Sequence, residues 1–116
     1  MNTMRIGYRF SALFSATVFC GVLLLTVSSP VSGRPFRTGV LPDKGKHFGC
    51  GTCHVFSGGG GSRNPFGQDY ARIGMKAGDR YVEELGKRDS DGDGFTNDAE
   101  FAAGTHPGKA ESKPAG

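Results

Sequence analysis

The twelve residues that decide the fold of this chain are Asp89-Ser90-Asp91-Gly92-Asp93-Gly94-Phe95-Thr96-Asn97-Asp98-Ala99-Glu100. Carboxylates stand at positions 1, 3 and 5 of this segment, a glycine at position 6 and a glutamate at position 12. A hard cation such as Ca²⁺ takes six to eight oxygen ligands, and this spacing lets one loop supply them around a single centre. The predicted ligands are Asp89, Asp91, Asp93, the carbonyl of Phe95, Asn97 and Glu100.

The alternative to a calcium loop is an ordinary acidic turn, since Asp and Gly are common in turns of every kind. Because every ligand position of the motif is filled, the calcium loop is favoured. Thr96 stands at position 8, where paired EF-hand loops usually carry a branched aliphatic residue, and the sequence has only one such loop. The segment therefore resembles the lone structural sites of thrombospondin-type or dockerin-like repeats more than half of a calcium sensor.

Residues 1–33 have the pattern of a signal peptide. Arg5 and Arg9 precede an apolar, uncharged run over residues 10–27, and small residues with one proline follow it. A retained membrane anchor is the alternative, because the run is about long enough to span a bilayer, and a lipoprotein attached at Cys20 is a weaker one. The small-residue exit favours cleavage, which predicts a secreted or periplasmic protein with no membrane contact afterwards.

Composition limits what the remaining chain can do. Of the 14 Lys and Arg residues, two lie in the signal segment, which leaves 12 against 11 acidic residues. With so balanced a charge, nucleic acid is not an expected partner. Apolar residues are few, and domains this small usually need a metal, a cofactor or a disulfide for stability. We expect a small, mainly α-helical and irregular domain with two or three short helices around a single EF-hand-like loop.

The order of segments follows from turn and helix signals. Residues 34–48 predict an extended N-terminal arm, residues 49–108 the haem- and calcium-binding domain, and residues 109–116 a disordered polar tail. Within the domain, three short helices are expected: one over residues 68–76, one whose N-cap is Asp79, and one over residues 97–103 that leaves the acidic loop.

A second motif precedes these helices. Cys50 and Cys53 are followed at once by His54, and Cys-x-x-Cys-His is the attachment motif of c-type haem, with the histidine as the proximal iron ligand. Met75 is the preferred second axial ligand and His106 the other candidate. The competing interpretations are a Cys50–Cys53 disulfide, a thioredoxin-like redox site, and a zinc site that also draws on His47.

Several of these segments together resemble the temptin-like family of secreted proteins. The shared features are His54, the glycine run Gly58 to Gly61, Asn-Pro-Phe-Gly at Asn64 to Gly67, Asp69-Tyr70, and the acidic loop from Asp89 to Asn97. The resemblance covers about half of the chain that follows the signal segment. It implies a secreted, calcium-binding protein. Temptins are held by separate disulfide cysteines, which this chain lacks.

The sequence thus supports two functions. The first is an exported electron carrier with a single c-type haem and a structural calcium site, which would meet a redox partner protein. The alternative is a haem-free, temptin-like calcium-binding interaction module with a Cys50–Cys53 disulfide, which would meet an extracellular protein. Enzymatic activity is not expected, because the sequence has no Ser/His/Asp set and no carboxylate pair beyond the acidic loop.

Overall fold

The structure is a computed structural model that describes residues 35–116, so the predicted signal segment lies outside the described residues. Within this range the chain forms short helices joined by turns, and no strand. In chain order these are the 3₁₀ helices Pro35–Val40 and Gly49–Thr52, then α1 (Pro65–Arg72), α2 (Glu83–Gly86) and α3 (Asn97–Ala103). The predicted class, a small domain with a few short helices, is confirmed. None of these helices is both long and apolar enough to cross a lipid bilayer.

The N-terminal arm over residues 34–48 is not extended, as the sequence suggested, but folded from Pro35 onward. Pro35 opens the first 3₁₀ helix, where its fixed φ angle suits a first helical turn, and the Thr38 hydroxyl donates to its carbonyl oxygen at 2.7 Å. Leu41 then enters the core with 3% of its surface exposed. Burial of Leu41 in the core fixes the path of this segment. Its prolines and glycines therefore form turns instead of an extended arm.

The helix predicted over residues 68–76 begins earlier and ends earlier. Its N-cap is Asn64, whose side-chain oxygen accepts a hydrogen bond from the Gly67 amide at 2.9 Å, and Pro65 occupies the first helical position. Both residue types are typical of helix starts. The chain leaves α1 after Arg72.

The prediction that Asp79 caps the second helix is wrong. Asp79 has a positive φ of 56°, and its carboxylate pairs with the Arg37 guanidinium at 2.7 Å. Helix α2 begins only at Glu83. The partner of Asp79 lies 42 residues earlier in the chain, in the first 3₁₀ helix, so no local sequence pattern could predict this ion pair. The bounds predicted for α3 are confirmed, with the Thr96 side chain accepting from the Ala99 amide at its start.

A small core joins these elements. Its buried members are Leu41, Phe66, Tyr70, Leu85 and Phe101. The Phe101 ring on α3 meets the Phe66 ring of α1 edge-on at 5.5 Å between centroids, and the Tyr81 ring at 5.6 Å. Aromatic side chains supply most of the apolar surface in a domain that has few other means of burying it. The helix that leaves the acidic loop therefore also completes the core.

The C-terminal tail, expected to be disordered over residues 109–116, begins with an ordered turn. The Ser112 amide donates to the Lys109 carbonyl at 2.8 Å, and the Ser112 hydroxyl accepts from the His106 amide at 3.0 Å. His106 itself is buried, and it anchors this turn to the body of the domain.

Candidate metal centre

The acidic loop is tied to the helix before it by Asn97. This side chain is fully buried, and its amide nitrogen donates to the Leu85 carbonyl at 2.7 Å and to the Ser90 hydroxyl at 2.9 Å. The Asn97 backbone amide donates to the Arg88 carbonyl at 2.7 Å. The two ends of the loop are thereby held together. The side-chain oxygen of Asn97 has no hydrogen-bond partner and stays free for a ligand role.

The aspartates of the loop organise the backbone around them. Asp89 accepts hydrogen bonds from the amides of Gly92, Asp93 and Gly94, at 2.7, 3.1 and 2.8 Å respectively. Asp93 accepts from the Phe95 amide at 2.8 Å. Carboxylates that bind successive amides in this way hold a loop closed around its own centre. The ligand atoms of Asp89, Asp91 and Asp93 consequently lie within 4.8 Å of one another.

Among residues 35–116, Glu100 is the carboxylate for which both oxygens are buried without a partner. Its side chain is completely buried, and neither carboxylate oxygen has a hydrogen-bond partner. Burial, and then the negative charges of Asp91, Asp93 and Asp89, raise its pKa to about 8. One oxygen of Asp91 and one of Asp93 are also buried without partners. Burial of acceptors with no donor is costly, so these oxygens are candidates for binding a cation.

A second buried carboxylate shows how the same fold treats an acid that needs no ligand. Asp69 on α1 is 4% exposed, and it accepts hydrogen bonds from Arg72 and from Arg88. Burial opposes ionisation of Asp69, but the hydrogen bonds from Arg72, Ser90 and Arg88 outweigh it and lower its pKa. Cationic side chains balance Asp69, whereas none among the described residues pairs with Glu100.

The predicted ligands fall into two sets. Asp89, Asp91 and Asp93 form the compact group, while Glu100 interacts with them electrostatically without being a member of it. The Phe95 carbonyl and the Asn97 oxygen remain predictions, since no contact in the described residues tests them. Thr96, the departure at position 8, is exposed and caps α3. Its helix-capping role explains why a polar residue stands where paired loops carry an aliphatic one.

The segment around Cys50, Cys53 and His54 differs from the acidic loop. Here the backbone carbonyls accept hydrogen bonds from neighbouring elements of the fold. The Asn64 side-chain amide donates to the carbonyls of Gly51 and Thr52, each at 3.0 Å, and the Asn64 backbone amide donates to the Cys53 carbonyl at 3.0 Å. The His106 ring nitrogen Nε2 also bonds the Gly51 carbonyl at 3.0 Å. This segment is therefore fixed from both sides by protein groups alone.

The two cysteines lie on one turn and are free thiols in the structure. The Cys53 amide donates to the Cys50 carbonyl at 3.3 Å, which closes the turn between them. Gly59 packs here with a positive φ of 84°, and a Cβ at this position would lie 3.1 Å from the Cys50 Cβ. Cys53 is half-buried against the core, and burial raises its pKa to about 11. At neutral pH this thiol is protonated.

The candidate haem ligands have distinct surroundings. His54 forms an isolated antiparallel bridge with Arg63, and its ring nitrogen Nδ1 is buried without a partner. Met75 packs against the core, the ordinary structural role of a methionine. His106, the other candidate for the sixth position, has both ring nitrogens engaged, because Nδ1 accepts from the Gly108 amide at 3.1 Å while Nε2 meets Gly51. His106 as positioned is not available to iron.

Sequence reasoning named Asn64 and His106 but did not predict the contacts through which they organise these sites. Asn64 joins α1 to the Cys-His turn, and the Asn-Pro pair gave a helix-start signal that could have located its cap but not its amide contacts. His106 joins the C-terminal turn to the same segment, across 55 residues of sequence. Burial lowers the pKa of His106, which keeps the ring neutral.

These features define a small helical domain organised by one acidic loop and one cysteine-histidine turn. The family model described as Temptin C-terminal matches residues 35–107, well over half of the chain. This chain belongs to the Temptin C-terminal family. Comparisons with curated proteins and with solved structures gave no match. Family membership agrees with a secreted protein, and it favours the haem-free alternative over a cytochrome-like carrier.

Proposed function

We propose that this chain is a secreted, haem-free interaction module whose domain is stabilised by one Ca²⁺ bound in the loop over residues 89–100. The observation that carries the proposal is the fully buried carboxylate of Glu100, with both oxygens unpartnered. Asp89, Asp91 and Asp93, whose ligand atoms lie within 4.8 Å of one another, are close enough for their negative charges to raise the pKa of Glu100. Ionising the buried Glu100 carboxylate beside three further carboxylates is costly unless a cation is bound, because isolated buried carboxylates are expensive.

The chemistry of the donor set suits calcium in particular. All the candidate donors are oxygens, from carboxylates, one amide and one backbone carbonyl, and hard divalent cations prefer such ligands. Asp89, Asp91, Asp93, Asn97 and Glu100, with the Phe95 carbonyl, would hold the ion. The bound ion supplies positive charge, and no chemical reaction is assigned to it. Since Phe101 of the core directly follows Glu100, the loop and the core would be stabilised together.

The cysteine pair is assigned a structural role in this proposal. Cys50 and Cys53 lie on one hydrogen-bonded turn, so a disulfide between them would close a short loop after oxidation during export. The second candidate function is a c-type haem protein, which rests on the Cys-x-x-Cys-His motif and on two exposed apolar neighbours, Val55 and Phe56. The bonded surroundings of His106 and the core packing of Met75 favour the haem-free alternative.

The proposed partner is an extracellular protein, and no enzymatic activity is assigned. The family match over residues 35–107 supports an interaction role outside the cytoplasm.

The test is a calcium titration of the exported full chain by calorimetry, followed by thermal unfolding in Ca²⁺ and in EGTA. With Ca²⁺ at about 100 times its Kd, binding adds about 2.7 kcal/mol to the unfolding free energy. For a domain of this size that corresponds to a rise in Tm of about 10–20 °C. Glu100→Gln should remove most of the rise. Equal melting curves in Ca²⁺ and EGTA would refute the proposal.

Glu84→Gln is the matched control, because it makes the same chemical change at an exposed glutamate outside the loop and should leave the calcium response intact. The visible spectrum and intact mass of the same preparation, made in a host with haem-attachment machinery, distinguish the two functions. A colourless protein two hydrogens lighter than the reduced chain supports the disulfide form. A Soret band with one covalently bound haem would overturn the haem-free assignment.

A further inference from the structure

One buried acid outside the predicted ligand set contacts the residue that opens the acidic loop. Asp69 lies on α1 with 4% of its surface exposed. One of its carboxylate oxygens accepts a hydrogen bond from Arg72, and the other accepts from Nε of Arg88 at 3.1 Å. Arg72 belongs to the same helix, whereas Arg88 lies 19 residues after Asp69 and directly precedes the first position of the loop. The second contact therefore ties α1 to the start of the loop.

Arg88 also contacts the far end of the loop, through its backbone. Its carbonyl oxygen accepts the Asn97 amide at 2.7 Å. One residue thus meets α1 with its side chain and the first residue of α3 with its backbone. Asn97 supplies the ligand predicted at loop position 9. The place of that ligand consequently depends on where Arg88 is held, and Asp69 holds the Arg88 guanidinium.

The Ser90 hydroxyl forms a second connection between Asp69 and Asn97. It accepts a hydrogen bond from the Asn97 side-chain amide at 2.9 Å. The same hydroxyl donates to the Asp69 carboxylate, and this hydrogen bond contributes to the lowered pKa of Asp69. An ionised carboxylate can only accept hydrogen bonds, so the Ser90 proton is directed to Asp69 and a lone pair of Ser90 is left for Asn97.

The direction of these hydrogen bonds determines which atom of the Asn97 amide group is left free. The amide nitrogen donates to Ser90 and to the Leu85 carbonyl, the latter at 2.7 Å. The amide oxygen is buried and has no partner among residues 35–116. Oxygen is the atom that Ca²⁺ takes as a ligand, whereas an amide nitrogen carries protons and is only a donor. The arrangement therefore keeps the useful atom of Asn97 available.

We propose that Asp69 is a positioning residue for the calcium site, which acts through Arg88 and Ser90 to hold Asn97 with its side-chain oxygen free for the cation. The inference rests on the proposed function, since it assigns Asp69 a role toward Ca²⁺ bound in residues 89–100. Groups that orient a metal ligand without touching the metal change metal affinity by about 10- to 100-fold when they are removed.

The first experiment is a calcium titration of the exported full chain by calorimetry, for the wild type and for Asp69→Asn. Both are measured at a temperature where circular dichroism shows them folded. Asparagine keeps the size of the side chain, but its amide group can donate to Ser90 and reverse the direction of the hydrogen bonds. We expect the Kd to rise about tenfold. A role in stability alone would lower the Tm in EGTA and leave this Kd unchanged, a result that would overturn the proposal.

Arg72→Gln is the matched control. Arg72 donates to the same carboxylate from within α1, so its loss should leave the calcium Kd unchanged. Ser90→Ala should raise the Kd, and its effect should be smaller when Asp69 is already replaced, because the two residues act on one amide group. Fully additive effects of Asp69→Asn and Ser90→Ala would overturn the proposal, and so would an Arg72→Gln protein that binds as weakly as Asp69→Asn.

A second measurement does not depend on calcium. In EGTA, the hydrogen exchange of the Asn97 side-chain amide is followed by NMR of the ¹⁵N-labelled chain, and it should be faster in Asp69→Asn than in the wild type or Arg72→Gln. Failure of the wild type to bind Ca²⁺ would refute the proposed function. Normal calcium binding with unchanged Kd and unchanged exchange in Asp69→Asn would instead refute only the role assigned to Asp69.

Discussion

The acidic loop and the Cys-His turn are both compact and close to the core, yet their polar groups are satisfied in opposite ways. In the loop, Glu100 is fully buried and both of its oxygens lack partners. In the turn, the carbonyls of Gly51 and Thr52 each accept at least one hydrogen bond from Asn64 or His106. Buried polar groups in native proteins are almost always paired, so the unpaired carboxylate oxygens make the loop the better candidate for a bound ion, whereas the carbonyls of the turn already have partners.

The two motifs that the sequence suggested as cofactor sites also differ in how many of their donor atoms are free. A cofactor site is expected to leave its donor atoms free until the cofactor binds. The loop does so at Asp91, Asp93 and Glu100. At the turn, His106 is occupied and the Cys53 thiol is half-buried in the core. Only the buried nitrogen of His54 and the hydroxyl of Thr52 remain unpaired there.

Among the changes that test this comparison, Gly67→Ala is expected to lower the unfolding free energy most. A Cβ at this position would lie 1.9 Å from the Cys53 carbonyl oxygen, and both α1 and the turn would have to move apart. We expect a loss of about 4 kcal/mol or more in unfolding free energy, measured by urea denaturation followed by circular dichroism. This is a large share of the stability of any small domain.

Gln68→Ala is its control, since Gln68 is exposed on the same helix and should change stability by no more than about 0.5 kcal/mol. A Gly67→Ala protein as stable as this control would mean that the turn and α1 are not in close contact.

The second effect is a pH dependence of the calcium-free protein. The pKa of Glu100 rises from 4.5 to about 8 on folding, so between these values the folded protein holds a proton that the unfolded chain has released. Stability must therefore fall as pH rises from about 4.5 to about 8, by an amount on the order of 2–4 kcal/mol. Thermal or urea unfolding in EGTA over this range measures it.

Glu100→Gln keeps the size of the side chain and removes its titration, so the fall in stability over this pH range should disappear. Calcium at saturation should abolish it as well, because the ion replaces the proton. A calcium-free wild-type protein whose stability rises across the range would contradict the assignment of Glu100 as a buried acid.

The smallest effect is expected from Asn64→Asp. Aspartate caps a helix as well as asparagine does, so the bond to the Gly67 amide is kept. The two donors to the carbonyls of Gly51 and Thr52 are lost, and a carboxylate oxygen would face them instead. We expect a loss of about 2 kcal/mol in unfolding free energy, measured as a shift in urea midpoint. A neutral result would mean that the turn does not depend on Asn64.

The sequence predicted those parts of the fold that local residues determine. The acidic loop and α3 follow from ligand spacing, a threonine N-cap and a glycine at the helix end, all within 16 residues of sequence. The N-terminal arm was misjudged because Leu41 is buried by residues far along the chain. Asp79 was misjudged for the same reason, since its partner Arg37 is remote.

At the candidate sites, too, local sequence predicted the ligand residues but not their tertiary surroundings. Spacing alone identified Asp89, Asp91, Asp93 and Glu100 as possible ligands, because an EF-hand-type loop carries its ligands in one continuous segment. Spacing could not reveal that Glu100 is fully buried. For the Cys-His motif, the pattern was visible but its surroundings were not, because His106 contacts it across 55 residues. A sequence motif can indicate which ligand a site would bind, but tertiary packing determines whether its donor atoms are free to bind it.

The packing of Cys53 has a consequence for the order of events after the chain leaves the cytoplasm. Its sulfur is half-buried and protonated at neutral pH once the domain has folded, and thiolates are the reactive form. Any covalent modification of Cys53 is therefore expected to be faster on the unfolded chain than after the core has closed around it. We therefore expect the state of the cysteine pair to depend on whether oxidation precedes folding.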